Sequence, residues 1–212
     1  MTTLADLPAE LRGKPQMTPE QAERLRHFFK HYLNRFMIGC YQLGLGKLIN
    51  IWPPVFGQFM VITHTGRKSG LKRRTPVNFA IHEGDIYCTA GFGAAADWYR
   101  NMLVNPAVEV WLPGEWWTAT AEDVSNAPDA PARMRDVLKG AGFAAFAAGI
   151  NPYAMSDAEL AEISAPYRLV RIRRAEARTG AGGPDEYAWV WPALIHVLVL
   201  LLPVLLLRRR RR

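Results

Sequence analysis

Cysteine is almost absent from this chain: Cys40 and Cys88 are the only two in 212 residues. They stand far apart in apolar runs, which reads as two buried free thiols in a reducing compartment rather than a disulfide framework. Metal-ligand spacing is missing too. His27 and His31 are four apart on one helical face, but no acidic or cysteine partner stands beside them, so no metal is expected. Helix-turn-helix and zinc-finger spacings are lacking. Met1 to Gln16 is polar, with prolines and a glycine, and has no apolar core of the kind a cleavable signal peptide needs. Acidic residues are outnumbered, 19 against 26 basic, for a net charge of +7. Arg208 to Arg212 supply five of those charges, leaving +2 for the rest, which excludes a nucleic-acid binder on charge grounds.

What is present bounds the architecture. The length suits one domain with an appendage, and 50% apolar residues allow a sizeable core. Residues 1–17 read as a flexible N-terminus and 18–54 as a helical region. Thr18 is the expected N-cap, Pro19 the first helical residue and Gln21 the partner in a capping box. Apolar residues then recur from Leu25 through Phe28, Phe29, Tyr32, Leu33, Phe36, Met37 and Cys40 to Tyr41, opposite a basic face. Such an amphipathic helix either caps its own domain or lies on an anionic membrane surface.

Residues 55–178 carry short strands at even spacing. Phe59 to His64, Arg73 to Ile81, Ile86 to Ala90, Val108 to Leu112, Trp116 to Val124 and Tyr167 to Arg173 read as strands. Hairpin turns are expected at His82-Glu83-Gly84-Asp85 and Leu112-Pro113-Gly114-Glu115. Helices are expected over Ala95 to Leu103, Asp129 to Lys139 and Asp157 to Ile163. Strands with interposed helices suit an α+β fold built on a small barrel rather than a parallel sheet. Residues 179–187 include Gly180-Ala181-Gly182-Gly183-Pro184 and read as a flexible linker. The stretch 188–207 has no formal charge and reads as a transmembrane helix, followed by the basic tail 208–212. The catalytic domain is then expected on the cytoplasmic side of the cell membrane, with lipid as partner.

The sharpest motif is Thr65-Gly66-Arg67-Lys68-Ser69-Gly70, between the first two strands. Its glycines let amide N–H groups turn inward on an anion, and Arg67, Lys68 and Ser69 add a guanidinium, an ammonium and a hydroxyl. The spacing is not that of a P-loop. Taken alone, the turn is either a phosphate grip or a solvated hairpin tip.

With Arg73-Arg74-Thr75-Pro76, Asp97-Trp98-Tyr99-Arg100-Asn101 and Asn105-Pro106, this turn resembles the deazaflavin-dependent nitroreductase family over roughly residues 55–174. The resemblance implies a split β-barrel of the FMN-binding-like kind and coenzyme F420, a deazaflavin with a phosphodiester and a polyglutamate tail. By residue, it implies that Arg67, Lys68 and Ser69 contact the phosphate and that Arg73, Arg74, Thr75, Pro76, Val77 and Asn78 run beneath the cofactor. Thr89, Ala90, Gly91 and Phe92 match the next strand's end, and Trp98, Tyr99 and Asn101 the helix after it. Some members carry a tyrosine near the substrate where this chain has Asn78. An amide cannot take over a phenol's proton-donor role, so no catalytic residue is assigned. Tyr153 and Tyr167 are possible substitutes. The family's barrels commonly pair as homodimers.

Three readings follow. The first is an F420-dependent oxidoreductase passing hydride from the reduced deazaflavin to an apolar acceptor such as a quinone or nitroaromatic. The second is an FMN- or haem-binding split barrel, since related barrels bind those groups. The third is a non-catalytic, membrane-anchored cofactor- or lipid-binding module. A hydrolase built on Ser69 and His64 is disfavoured, because no nucleophile elbow accompanies them.

Overall fold

A computed structural model describes residues 33–51 and 57–210. Its centre is a closed antiparallel barrel of six strands: β1 (Phe59–Thr65), β2 (Lys72–His82), β3 (Asp85–Ala90), β4 (Ala107–Leu112), β5 (Glu115–Asp123) and β6 (Arg168–Ala177). Around the barrel they run β1-β2-β3-β6-β5-β4, and β1 closes on β4 with Val61 opposite Trp111. The six strands and both hairpins anticipated from β-branched and aromatic runs and turn residues are therefore present.

Both faces of β1 are covered, which explains why its apolar run does not alternate with polar residues. Met60 and Ile62 point into the barrel with Val77, Phe79, Ile86, Cys88, Val110 and Ile172. Val61 points outward against Trp111, Trp116 and Tyr41. Tyr41 comes from α1 (Asn34–Gln42), which continues through a turn into α2 (Gly46–Ile51). The Tyr41 hydroxyl donates to the Phe59 carbonyl at 2.5 Å, and Asn50 accepts the Phe59 N–H at 2.7 Å, so this helical pair clasps the start of β1. The described end of the expected amphipathic helix thus packs Met37, Cys40 and Tyr41 inward; its expected start at Thr18 lies outside the described residues.

The remaining helices are excursions between strands. A 3-10 turn (Gly93–Ala95) and α3 (Asp97–Val104) link β3 to β4. Between β5 and β6 come α4 (Ala130–Gly140), α5 (Phe143–Ala147) and α6 (Asp157–Ser164), whose Val137, Leu138 and Leu160 pack on Tyr87 of β3 and Leu169 of β6. Ser156 and Glu159 form a reciprocal capping box at the start of α6. Cys40 and Cys88 are free and buried, as their apolar contexts suggest.

The C-terminal region departs from the sequence reading. Residues 179–187, read as a hinge, lie along α1: Asp185 and Tyr187 donate backbone N–H groups to the Tyr41 and Gln42 carbonyls at 3.0 and 2.7 Å. A helix, α7 (Val190–Arg210), follows. Its described side chains end at residue 202, and among the described residues no helix is long and apolar enough to cross a membrane. The transmembrane span expected at 188–207 is therefore not supported.

Candidate functional site

The β1–β2 turn is braced from inside. Gly66 donates to the Leu71 carbonyl at 2.9 Å, and Gly70 and Ser69 donate back to the Gly66 carbonyl at 2.8 and 3.2 Å. A Cβ added at Gly66 would sit 2.7 Å from Ser69 Oγ and 3.1 Å from Arg73 Nε. A hydroxyl and a guanidinium therefore converge over this glycine, and only glycine leaves them room. Lys68, Ser69 and Arg73 are exposed around it.

The turn is also held from outside by α3. Asn101 is 4% exposed, and its Oδ1 accepts from the Arg67 backbone N–H at 3.1 Å and from Arg67 Nη1 at 2.9 Å. Arg67 also pairs with the Asp97 carboxylate at 3.2 Å. Arginine can only donate, so the Asn101 oxygen must face it and the Asn101 NH2 must face away. That NH2 meets His64 Nδ1 at 3.2 Å, which makes Nδ1 an acceptor. His64 therefore carries its proton on Nε2, which donates to Thr75 Oγ1 at 3.1 Å. Burial, then the charge of Arg73, lowers the His64 pKa to about 4 against a smaller opposing pull from Asp97, so the ring is neutral near pH 7.

The adjoining loop is similarly fixed. Gly93 has φ +58°, and a Cβ there would lie 2.2 Å from the Pro166 carbonyl oxygen. Phe92 is 41% exposed on this loop beside exposed Gly91. Trp98 packs partly buried against the barrel core and meets Tyr99 edge-on, with ring centroids 6.4 Å apart. Tyr99 is buried and donates to Asp123 Oδ2 at 2.5 Å. Burial first, and then this bond to a carboxylate, pushes its phenol up to about 12.

The sequence-derived candidates thus fall into three groups. Arg67, Lys68, Ser69 and Arg73 gather at the turn with Asn101 and Thr75 behind them. Val77 and Ala90 belong to the barrel interior. Arg74, Pro76 and Asn78 stand on the outer face of β2, because Pro76 pairs with outward-facing Val61 and strand side chains alternate. Asn78 donates to the Gln58 carbonyl at 3.0 Å, and Thr89 donates to the Arg168 carbonyl at 3.3 Å. Of the substitute tyrosines, Tyr153 stacks on Phe146 and Tyr167 packs with the outer helical cluster. Sequence reasoning missed His64, Asp97 and Asp123 as members of this network. The available signal was His64 itself, one titratable residue in an apolar strand, which needs partners once buried.

Solved structures similar to the chain include conserved hypothetical protein Rv2991 from Mycobacterium tuberculosis (17% identity, 59% of this chain and 84% of that one, TM-score 0.42). Another is the F420-H2 dependent reductase FDR-A (20% identity, 54% and 93%, TM-score 0.36). A third is HutZ, the heme storage protein from Vibrio cholerae (13% identity, 60% and 89%, TM-score 0.41). All three likenesses are distant. The model of the F420H(2)-dependent quinone reductase family, by contrast, matches residues 35–152, from α1 across the turn and α3 into the helices after β5. The chain belongs to that family and is an F420-dependent reductase with coenzyme F420 as its cofactor.

Proposed function

We propose that this protein passes hydride from reduced F420 to an apolar electron acceptor, a quinone or a nitroaromatic. The observation that carries the reading is the division of labour in the turn. Asp97 and Asn101 engage Arg67 and brace the tip, while Ser69 and Arg73 converge over Gly66 and Lys68 stays exposed beside them. This cationic tip, with a hydroxyl that can donate, fits a phosphodiester, and the anionic tail beyond it meets the same charges. Phe92 and the exposed edge of Trp98 offer the flat apolar wall that a ring system needs.

When bound, reduced F420 supplies the hydride. The chain's own residues bind and orient. Lys68 and Ser69 fix the phosphate end, and Asn101 keeps Arg67 from collapsing onto it. Asn78 is occupied by the Gln58 carbonyl and is no acid, so the proton that accompanies hydride would come from water or another residue.

We further propose that the protein sits at the cell membrane with its barrel on the cytoplasmic side. The supporting feature is α7 and its approach, where Trp189, Trp191, Ile195, Leu198 and Leu200 are all exposed. Lipid is the partner of matching chemistry. A homodimer remains part of the reading, to be checked by sedimentation.

The deciding experiment is a binding titration with F420, alongside FMN and haem, on the protein and on Lys68→Ala. F420 binding that collapses in Lys68→Ala, with quinone or nitroaromatic reduction by reduced F420, is the expected result. Preference for FMN or haem would move the chain to another branch of the barrel fold. Binding without turnover of either acceptor would make it a non-catalytic module.

A further inference from the structure

A cavity of about 550 Å³ lies on the outer face of the barrel, away from the tip of the turn. Its floor is β1, β2, β4 and β5, and residues 178–182 close over it. Three cations, Lys72, Arg74 and Arg178, line it against a single carboxylate, Glu109. Glu109 is already satisfied: Lys72 Nζ at 2.6 Å and Arg178 Nη1 at 2.7 Å reach Oε1, while Trp116 Nε1 donates to Oε2 at 3.1 Å. Burial works to raise its pKa, but the Lys72 bond and charge, the Arg178 charge and the indole bond outweigh it, so the pKa is lowered from its ordinary value.

The two arginines are held open. Arg178 stacks 4.4 Å over the Trp116 ring and Arg74 4.4 Å over Trp111, with Arg74 Nη2 donating to the Gly182 carbonyl at 2.8 Å. Stacking presents a guanidinium edge-on, leaving its in-plane donors for another group. Thr63 also lines the cavity. It is 6% exposed, and its Oγ1 has no hydrogen-bond partner among the described residues. The buried Thr63 hydroxyl without a partner is costly unless a group in the cavity completes it, and the two cations beyond what one carboxylate balances, partly exposed as they are, favour a negative group there. The volume suits a small molecule rather than a bare ion.

We propose that this cavity binds a small soluble molecule through a carboxylate or phosphate group, held by Arg74, Arg178 and the Thr63 hydroxyl, separately from the cofactor. It does not rest on the acceptor or membrane readings. The test is calorimetric titration of the full chain at low salt with citrate and with inorganic phosphate, repeated on Arg178→Gln, Thr63→Val and Lys68→Ala. Thr63→Val keeps charge and branching, so it stays informative if Arg178→Gln folds poorly. About one equivalent of at least one probe should bind, weakened roughly tenfold by Arg178→Gln and a few-fold by Thr63→Val. Lys68→Ala should leave it unchanged, and saturating F420 should not displace it. Absence of saturable binding by both probes would overturn the proposal. So would equal affinity in the Thr63 and Arg178 variants, loss in Lys68→Ala alone, or displacement by F420. F420 titrated in parallel separates this failure from failure of the cofactor reading.

Discussion

Asn101 Oδ1 accepts both the backbone N–H and the guanidinium of Arg67, at 3.1 and 2.9 Å, so one buried side chain on α3 fixes two parts of the β1–β2 turn. The same amide then orients His64 through its NH2. Arg67 is thereby a positioning residue, and the exposed Lys68, with Ser69 and Arg73, is left to meet an anion directly.

Replacing Asn101 with Ala orphans the Arg67 N–H and, among the described residues, removes the donor facing His64 Nδ1. Loss of buried hydrogen bonds of this kind costs about 1–3 kcal/mol. Urea unfolding of Asn101→Ala should show that loss, and F420 affinity should fall with it. Lys68→Ala, altering an exposed side chain, should lower affinity with stability changed by no more than about 0.5 kcal/mol. If the two variants behave alike in both assays, the division between Arg67 and Lys68 is wrong.

Stability should fall on acidification earlier than the carboxylates alone would produce. His64 has a folded pKa of about 4 against an ordinary 6.5, so the unfolded chain binds a proton in that window that the folded chain refuses. Stability is therefore full above pH 6.5 and declines as pH drops toward 4, with a slope of up to about 1.4 kcal/mol per unit. The depressed carboxylates Glu109 and Asp123 add their own losses only near and below their ordinary values of 4.5 and 3.8. Denaturation curves between pH 4.5 and 6.5 isolate the histidine, and His64→Gln should flatten them.

Gly93→Ala would force a Cβ to within 2.2 Å of the Pro166 oxygen at a φ of +58°. The backbone must shift, and a cost above about 1 kcal/mol is expected because alanine disfavours that conformation as well. The loop bearing Phe92 should loosen, seen as faster amide exchange over residues 91–96. An unchanged melting curve would show that the 93–166 contact has room to give.

Ending the chain after Ala188 removes α7 but keeps the Asp185 and Tyr187 bonds to α1. The shortened protein should leave the membrane fraction and keep its F420 affinity. Continued membrane association without α7 would move the lipid contact to the N-terminal helix.

Much of this fold was legible in the chain because its causes are local. β-branched and aromatic runs marked the strands, alternation marked the last of them, and glycine turns marked the hairpins. Taken alone, the Thr65–Gly70 turn leaves two readings open, an anion grip or a solvated tip, and only its company with the later motifs favours the first. The C-terminal segment was legible only as apolar, because composition does not say what an apolar helix rests against.

What the sequence could not determine is who meets whom. Arg67 finds Asp97 and Asn101, and Arg74 finds Gly182, across long stretches of intervening chain. Alternation along β2 sends Thr75 and Arg74 to opposite sides of the wall, although they are neighbours in the chain. Barrel closure decided these pairings, since burial forces each polar group to find whichever partner the topology brings within reach.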